Sequence, residues 1–282
     1  MNLPFYAAAE TLPSCLPTTS QIENSQDVLV HQTSHKVVGV GAHFIVKYGL
    51  QIDLEEGQTM IYIRECTTLP APNIYALFQD SVTGKRYIIM ERITGTSLED
   101  IWPSLRHIEK EAISSKVKSY INELRLIPSP TAYCSVGNKP LRDPIFWTGF
   151  GVENQGLDGP FDSEPDLNDA IIKKCLSSDH LRGKAEFFKR HLPLVFGSHP
   201  PVLTHGDLQR KNILVRIKSD LDIEITFLDW ETAGWYPSYW EYARAILACG
   251  RFEDDWGCWV DRFLDPFPNE WLWMHTMMLE LW

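Results

Sequence analysis

The residues best placed to do chemistry lie between Leu203 and Glu231. His205-Gly-Asp207 is followed after four residues by Asn212, and a second segment ends in Asp229-Trp-Glu231. Two runs rich in β-branched and aromatic residues, Ile213-Leu-Val215 and Ile223-Glu-Ile-Thr-Phe227, flank the polar stretch Lys218–Asp222 and read as a hairpin. A turn centred between Asp220 and Leu221 sets Val215 opposite Thr226 and Asn212 opposite Asp229, with centres within about 6 Å. Asp207 lies five residues before Asn212 on the same loop. Two carboxylates and one amide then gather at one end of the hairpin, an oxygen-only set of the kind that hard cations such as Mg²⁺ prefer. Either aspartate alone would read as the cap of a local turn. The combined spacing favours a functional site.

These residues need a scaffold. Val28-Leu-Val30 and Phe44-Ile-Val-Lys47 read as strands, separated by His35–Gly41, whose Gly39 and Gly41 suit a tight bend. Residues 55–66, with Glu56 and Glu65, fit a short helix, and Ile74–Phe78 and Arg86–Met90 read as strands joined by the turn Asp80–Gly84. After Gly95 the pattern becomes helical. Leu105, Ile108, Ala112, Val117, Tyr120, Ile121 and Leu124 recur at helical steps, residues 128–166 read as an irregular excursion, and helices are expected over 167–175 and 184–196. Ser238-Tyr-Trp-Glu241 has the spacing of a capping box opening a helix over Tyr239–Cys249. The expected division is an extended or mobile arm without chemistry over 1–26, a mostly β lobe over 27–93 and a mostly helical lobe over 94–282, with a ligand cleft between the lobes.

Composition narrows the partners. The 282 residues carry 37 Asp+Glu against 26 Lys+Arg, a net charge of -11, which opposes any general nucleic-acid-binding role. No run approaches the roughly 20 apolar residues of a membrane span, and the start lacks a secretory pattern, so the cytoplasm is the expected location. Six cysteines without a CxxC pair suggest reduced thiols, and the histidines lack zinc spacing. Glu253-Asp-Asp255 with Asp261 suits a cationic substrate, or a solvated face; Trp256, Trp259, Trp271 and Trp273 suit an aromatic pocket, or a tryptophan-rich core.

The His-Gly-Asp-x4-Asn element with its strand-terminal Asp-Trp-Glu resembles the aminoglycoside phosphotransferase and choline kinase superfamily, relatives of protein kinases. Phe44-Ile-Val-Lys47, Glu56, Tyr87-Ile-Ile-Met-Glu91-Arg-Ile93 and Asp229–Ala243 spread the likeness over most of residues 28–282, and the aromatic-rich version looks closest to a fungal branch of the phosphotransferase family. The resemblance implies an α+β, two-lobed protein-kinase-like fold. Its small N-terminal lobe would be an antiparallel sheet with one helix, and its larger C-terminal lobe mainly helical. It further implies ATP and Mg²⁺ as cofactors and a small-molecule hydroxyl as phosphoryl acceptor. Asp207 would be the base, Asn212 and Asp229 would hold Mg²⁺, Lys47 would contact the phosphates with Glu56 as its partner, and the backbone of Glu91 and Ile93 would meet the adenine edge. His205 would orient the loop.

Some positions depart from the kinase pattern. Asp-Trp-Glu replaces Asp-Phe-Gly and no Ala-Pro-Glu segment follows, which argues against a protein substrate. Gly39 and Gly41 sit where a phosphate-covering loop would lie but also fit a plain β-turn. Glu65 competes with Glu56, and Glu231 reads equally as a second metal ligand or a turn residue. A nucleotide-binding pseudokinase is the alternative from another class, and a protein kinase a weaker one.

Overall fold

The computed structural model describes residues 2–147, 156–177, 179–219 and 222–281. The first lobe is built on strands β1 (Phe5–Tyr6), β2 (Val28–His31), β3 (Lys36–Val40), β4 (Phe44–Gly49), β5 (Ile74–Gln79) and β6 (Arg86–Glu91), in the antiparallel order β1-β5-β6-β4-β3-β2. Alternation along β4 sends Phe44, Val46 and Tyr48 to the outer face, where they join Tyr75, Tyr87 and Ile89 in a small core, and turns Lys47 to the opposite face. Tyr48 stacks on Tyr87 with ring centres 5.6 Å apart.

Two expectations for this lobe are corrected. The segment His35–Gly41 is not a bend but strand β3 itself. The Gln32 amide donates to the His35 carbonyl to close the turn before it, and Gly41, at φ +61°, makes the turn after it. The N-terminal arm is packed rather than free. β1 pairs with β5, helix α1 (Thr19–Glu23) is opened by a Thr18–Gln21 capping box, Ile22 is fully buried in the outer core, and the Tyr87 hydroxyl donates to Glu23 at 2.6 Å. Leu12 and Leu16 pack against the same outer core as Ile22, apolar contacts that no periodicity in the arm marked.

Helix α2 (Glu55–Cys66) lies between β4 and β5, within the bounds the sequence suggested. After β6 the chain crosses to the helical lobe through β7 (Thr96–Ser97) and the one-turn α3 (Leu98–Ile101). Helix α4 (His107–Arg125) buries Ile113, Val117, Ile121 and Leu124, while Ile108 stays exposed and the neighbouring Glu109 is the buried residue of the first turn. Within the excursion, β8 (Cys134–Ser135) forms a three-stranded sheet with β9 (Pro201–Thr204) and β12 (Gly234–Pro237), in the order β8-β12-β9; its residues 148–155 lie outside the described residues. Helices α5 (Glu164–Leu176), α6 (Arg182–Val195), α7 (Trp240–Leu247), α8 (Trp256–Phe263) and α9 (Pro268–Leu281) complete the lobe. One core runs through both lobes, from Met60 and Ile63 of α2 to Trp256 and Trp259 of α8, so those two tryptophans pack the interior instead of lining a pocket. No described helix is long and apolar enough to cross a membrane.

The hairpin of β10 (Ile213–Ile217) and β11 (Ile223–Phe227) forms, but in a different register. Leu214 faces Thr226 and Val215 faces Ile225. Asn212 therefore lies opposite Leu228, whose amide donates to the Asn212 carbonyl at 2.8 Å, and Asp229 falls one residue beyond the ladder. The Lys218 amide donates to the Asp222 carbonyl at 2.9 Å, which encloses three residues instead of an even number and shifts every pair by one. Asp220 and Leu221, on which the expected centre rested, lie outside the described residues.

Candidate active site

Lys47 is almost wholly buried on the cleft side of β4 and meets three carboxylates. Its Nζ lies 2.8 Å from Glu56 Oε2 on α2, 3.2 Å from Asp229 Oδ1 and 2.9 Å from Glu231 Oε2. Burial alone would lower the ammonium's pKa, yet Glu56, Asp229 and Glu231 hold it above the usual lysine range. Burial also pushes the Glu56 carboxyl up to about 7; Lys47 pulls it down, while Asp229 and Glu231 push it further up. Glu65 is exposed and takes no part, which settles the choice of Lys47's helical partner in favour of Glu56.

Asp229 reaches Lys47 through a backbone at φ +62°, a left-handed conformation that aspartate tolerates better than most residues. Trp230 behind it is buried, donates its indole N–H to the Phe227 carbonyl, and packs its ring 4.4 Å from that of His205. This anchors the strand end while Asp229 and Glu231 project into the cleft.

The loop from His205 to Asn212 is wired from below. His205 Nδ1 accepts from the Asp207 amide at 3.2 Å and Nε2 donates to the Leu228 carbonyl at 2.9 Å, which fixes the Nε2–H tautomer. Asn212 spends both amide hydrogens on Asp207, at 2.9 Å to its carbonyl and 2.8 Å to Oδ2, so its Oδ1 remains for a cation. The other Asp207 oxygen accepts from the Gln209 side chain. Gly206 sits at φ +82°, and a Cβ there would come within 2.9 Å of the Thr232 carbonyl oxygen. Only glycine meets both conditions without a shift.

Beneath this loop lies Glu241, in a role other than the helix cap its spacing suggests. Glu241 does not cap α7: the N-cap is Tyr239, with no side-chain bond. Instead its carboxylate, 2% exposed, accepts from the His205 amide at 2.6 Å and the Gly206 amide at 3.2 Å. Burial pushes its carboxyl above the usual range, opposed by His205 and the backbone bonds. The signal available was a lone acid in the apolar run Trp240–Leu247, because a buried carboxylate must find donors somewhere. Thr232, whose hydroxyl donates to the His205 carbonyl, and Arg244, whose Nε lies 3.3 Å from the Gly206 carbonyl, complete the support.

At the hinge, the Glu91 amide donates to the Asn73 carbonyl, so of its backbone only the carbonyl can face a base; its carboxylate accepts from the Asn73 side chain at 2.6 Å. Among the described residues the Ile93 amide has no hydrogen-bond partner. A recess of about 210 Å³ runs along this edge, lined by Glu91, Ile93, Thr94, Leu214 and Thr226 among others.

The donor set fits a divalent cation. Oxygen atoms of Glu56, Asp229 and Glu231 lie within 4.8 Å of one another around a single ammonium, leaving an excess of negative charge. The acid cluster farther along the chain is committed elsewhere: Asp254 pairs with Arg210 at 2.6 Å, Asp255 accepts from Lys110, Trp102 and Trp259, and Asp261 accepts from the Tyr242 hydroxyl. All four acids, Glu253 included, are exposed, which matches the solvated face the sequence allowed, and three of them also hold neighbouring side chains.

A model of the phosphotransferase enzyme family matches residues 54–276. No curated protein matches the chain. Among solved structures, a GDP and kanamycin complex of an APH(2'') enzyme superposes with a TM-score of 0.56 at 15% identity, covering 93% of this chain and 84% of that one. Aminoglycoside phosphotransferase APH(4)-Ia gives 0.58 at 17% identity, covering 90% and 81%. A streptomycin–ATP ternary complex of APH(2'')-IIa gives 0.52 at 15% identity, covering 79% and 71%. These structures share the two-lobed kinase-like fold, and they do not bear on the narrower likeness to a fungal branch. The family match takes in α2, the His205–Asn212 loop, the Asp229 strand end and Glu241, and by it this chain belongs to the phosphotransferase enzyme family.

Proposed function

We propose that this protein transfers the γ-phosphoryl group of ATP to a hydroxyl of a small molecule. The observation that carries the reading is the convergence on Lys47: one buried ammonium drawn between Glu56 of the sheet lobe and Asp229 of the helical lobe. Lys47 would contact the α- and β-phosphates, with Glu56 keeping its ammonium in the cleft. The Glu91 carbonyl and the Ile93 amide would meet the donor and acceptor on the adenine edge.

Asp207 would accept the proton of the attacking hydroxyl, a role worth about 10² to 10⁴ in rate. Its carboxylate is turned by Asn212 and Gln209, and its backbone is held by His205. Asn212 and Asp229 would hold Mg²⁺, with Glu231, which shares Lys47 with Asp229, as a further carboxylate; when bound, the cation would neutralise charge on the phosphates. The kanamycin and streptomycin named for the structural neighbours make polyhydroxylated amines a first group of acceptors to try.

The test is incubation with MgATP and a panel of amino alcohols, aminoglycosides and neutral polyols, with phosphorylated product read by mass spectrometry. The expected result is one or more products, lost in Asp207→Ala. Tight MgATP binding without product from any hydroxyl compound would overturn transfer in favour of a silent nucleotide binder.

A further inference from the structure

Glu56 can serve Lys47 only while α2 stays against the cleft, and the first turn of α2 is gripped from the other lobe. Arg142, in the excursion after β8, pairs through Nη2 with Asp53 and lies 3.3 Å from Glu55 Oε2. Lys139 adds a contact of 2.8 Å to Glu55 Oε1 and donates to the Gln58 side chain at 3.3 Å. Asp53 itself accepts from the Glu55 amide at 2.9 Å, so the grip falls on the residues that start the helix and flank Glu56.

The next residue ties the same segment to the loop of Asp207. Asp143 is buried, accepts from the Trp240 indole at 2.9 Å and pairs with Arg244 at 3.3 Å, and Arg244 reaches the Gly206 carbonyl. The Arg142 amide donates to the Tyr236 hydroxyl, which donates to the Thr232 carbonyl. Two consecutive residues thus connect the helix carrying Glu56 with the loop carrying Asp207.

We infer that Arg142 is a positioning residue: it sets α2, and through it the Glu56–Lys47 pair, in register with the Asp207 loop. The inference rests on the reading of Lys47 and Glu56 as the pair that handles the nucleotide's phosphates. Arg142 is 43% exposed in its side chain, and ion pairs that exposed add little to stability. Its contribution is geometric, and its loss should lower the fraction of molecules with α2 in place rather than unfold the lobe.

The experiment compares wild type, Arg142→Ala, Arg142→Lys, Glu56→Gln and the double variant Arg142→Ala/Glu56→Gln. Hydrogen exchange is read over residues 55–66, and MgATP binding by calorimetry. In Arg142→Ala, exchange at the start of α2 should quicken about tenfold while the melting temperature moves by no more than about 2 °C. MgATP should bind a few-fold more weakly, in step with the smaller fraction of molecules that keep α2 in place. Arg142→Lys should restore part of both. The double variant should bind no more weakly than Glu56→Gln alone, because both substitutions cut one linkage. Unchanged exchange in Arg142→Ala, or binding losses that add in the double variant, would overturn the inference. Faster exchange in a protein whose wild type binds no MgATP would leave the clasp standing and reject the nucleotide reading.

Discussion

Glu56 and Glu241 are the same residue type at nearly the same depth, 4% and 2% exposed, and they do opposite things. Glu56 faces a side-chain ammonium shared with Asp229 and Glu231, all at the open cleft. Glu241 faces two backbone amides of the His205–Asp207 loop, from beneath. A partner at the end of a flexible side chain can be drawn away by a phosphate or a cation. Backbone amides cannot leave without the loop changing shape. The cleft therefore holds its charges in an exchangeable arrangement above a loop that is fixed in place.

Substitutions at the two glutamates and their partners put the difference to the test. The largest effect on stability is expected for Glu241→Ala, which strands two buried amides at about 1–3 kcal/mol each, so the melting temperature should fall by roughly 5–10 °C. Should that variant fail to fold, Glu241→Gln keeps one acceptor oxygen and should show about half the loss. A melting temperature equal to wild type would mean that the loop does not depend on this carboxylate. Lys47→Ala should reduce kcat/KM for MgATP about 100-fold or more with a smaller change in melting temperature, because Glu56 can take up a proton when its cation is removed. A steady-state assay paired with thermal unfolding separates the two effects.

Asp229→Asn should weaken magnesium-dependent nucleotide binding by about tenfold and leave the fold intact, since asparagine also accepts the left-handed backbone at this position. A collapse of thermal stability without ligand would mark Asp229 as structural. The smallest effect concerns pH. Burial raises the Glu56 carboxyl from 4.5 to about 7. The folded state then binds this proton more tightly than the unfolded chain, so the group's contribution is complete below about pH 4.5 and is lost as pH rises through about 7. Melting temperatures measured across that window should decline less in Glu56→Gln than in wild type.

Several of these elements were legible in the sequence because local chemistry dictated them. The strand over Phe44–Lys47, the helix over 55–66 and the compact His205–Asn212 loop followed from local pattern and spacing, whereas the choice of Lys47 and Glu56 within them came from the family resemblance. The misreadings share a physical origin. The β10–β11 register depends on whether the loop encloses an even or odd number of residues, and Lys218–Asp222 allows both. Ser238-x-x-Glu241 has the spacing of a capping box, but the same glutamate can also face a loop thirty-five residues earlier in the chain, and spacing does not show which donors it will meet. Ile22 and the Arg142–Asp53 contact are likewise partnerships between distant segments, invisible to any local pattern.

Calorimetric titration of wild type and Lys47→Ala with ATP, with and without Mg²⁺, reads the role of the buried ammonium in nucleotide binding. Wild type should bind, more tightly with Mg²⁺, and most of that binding should be lost in the variant. Equal binding by both proteins, or none by the wild type under either condition, would rule out Lys47 as the phosphate contact.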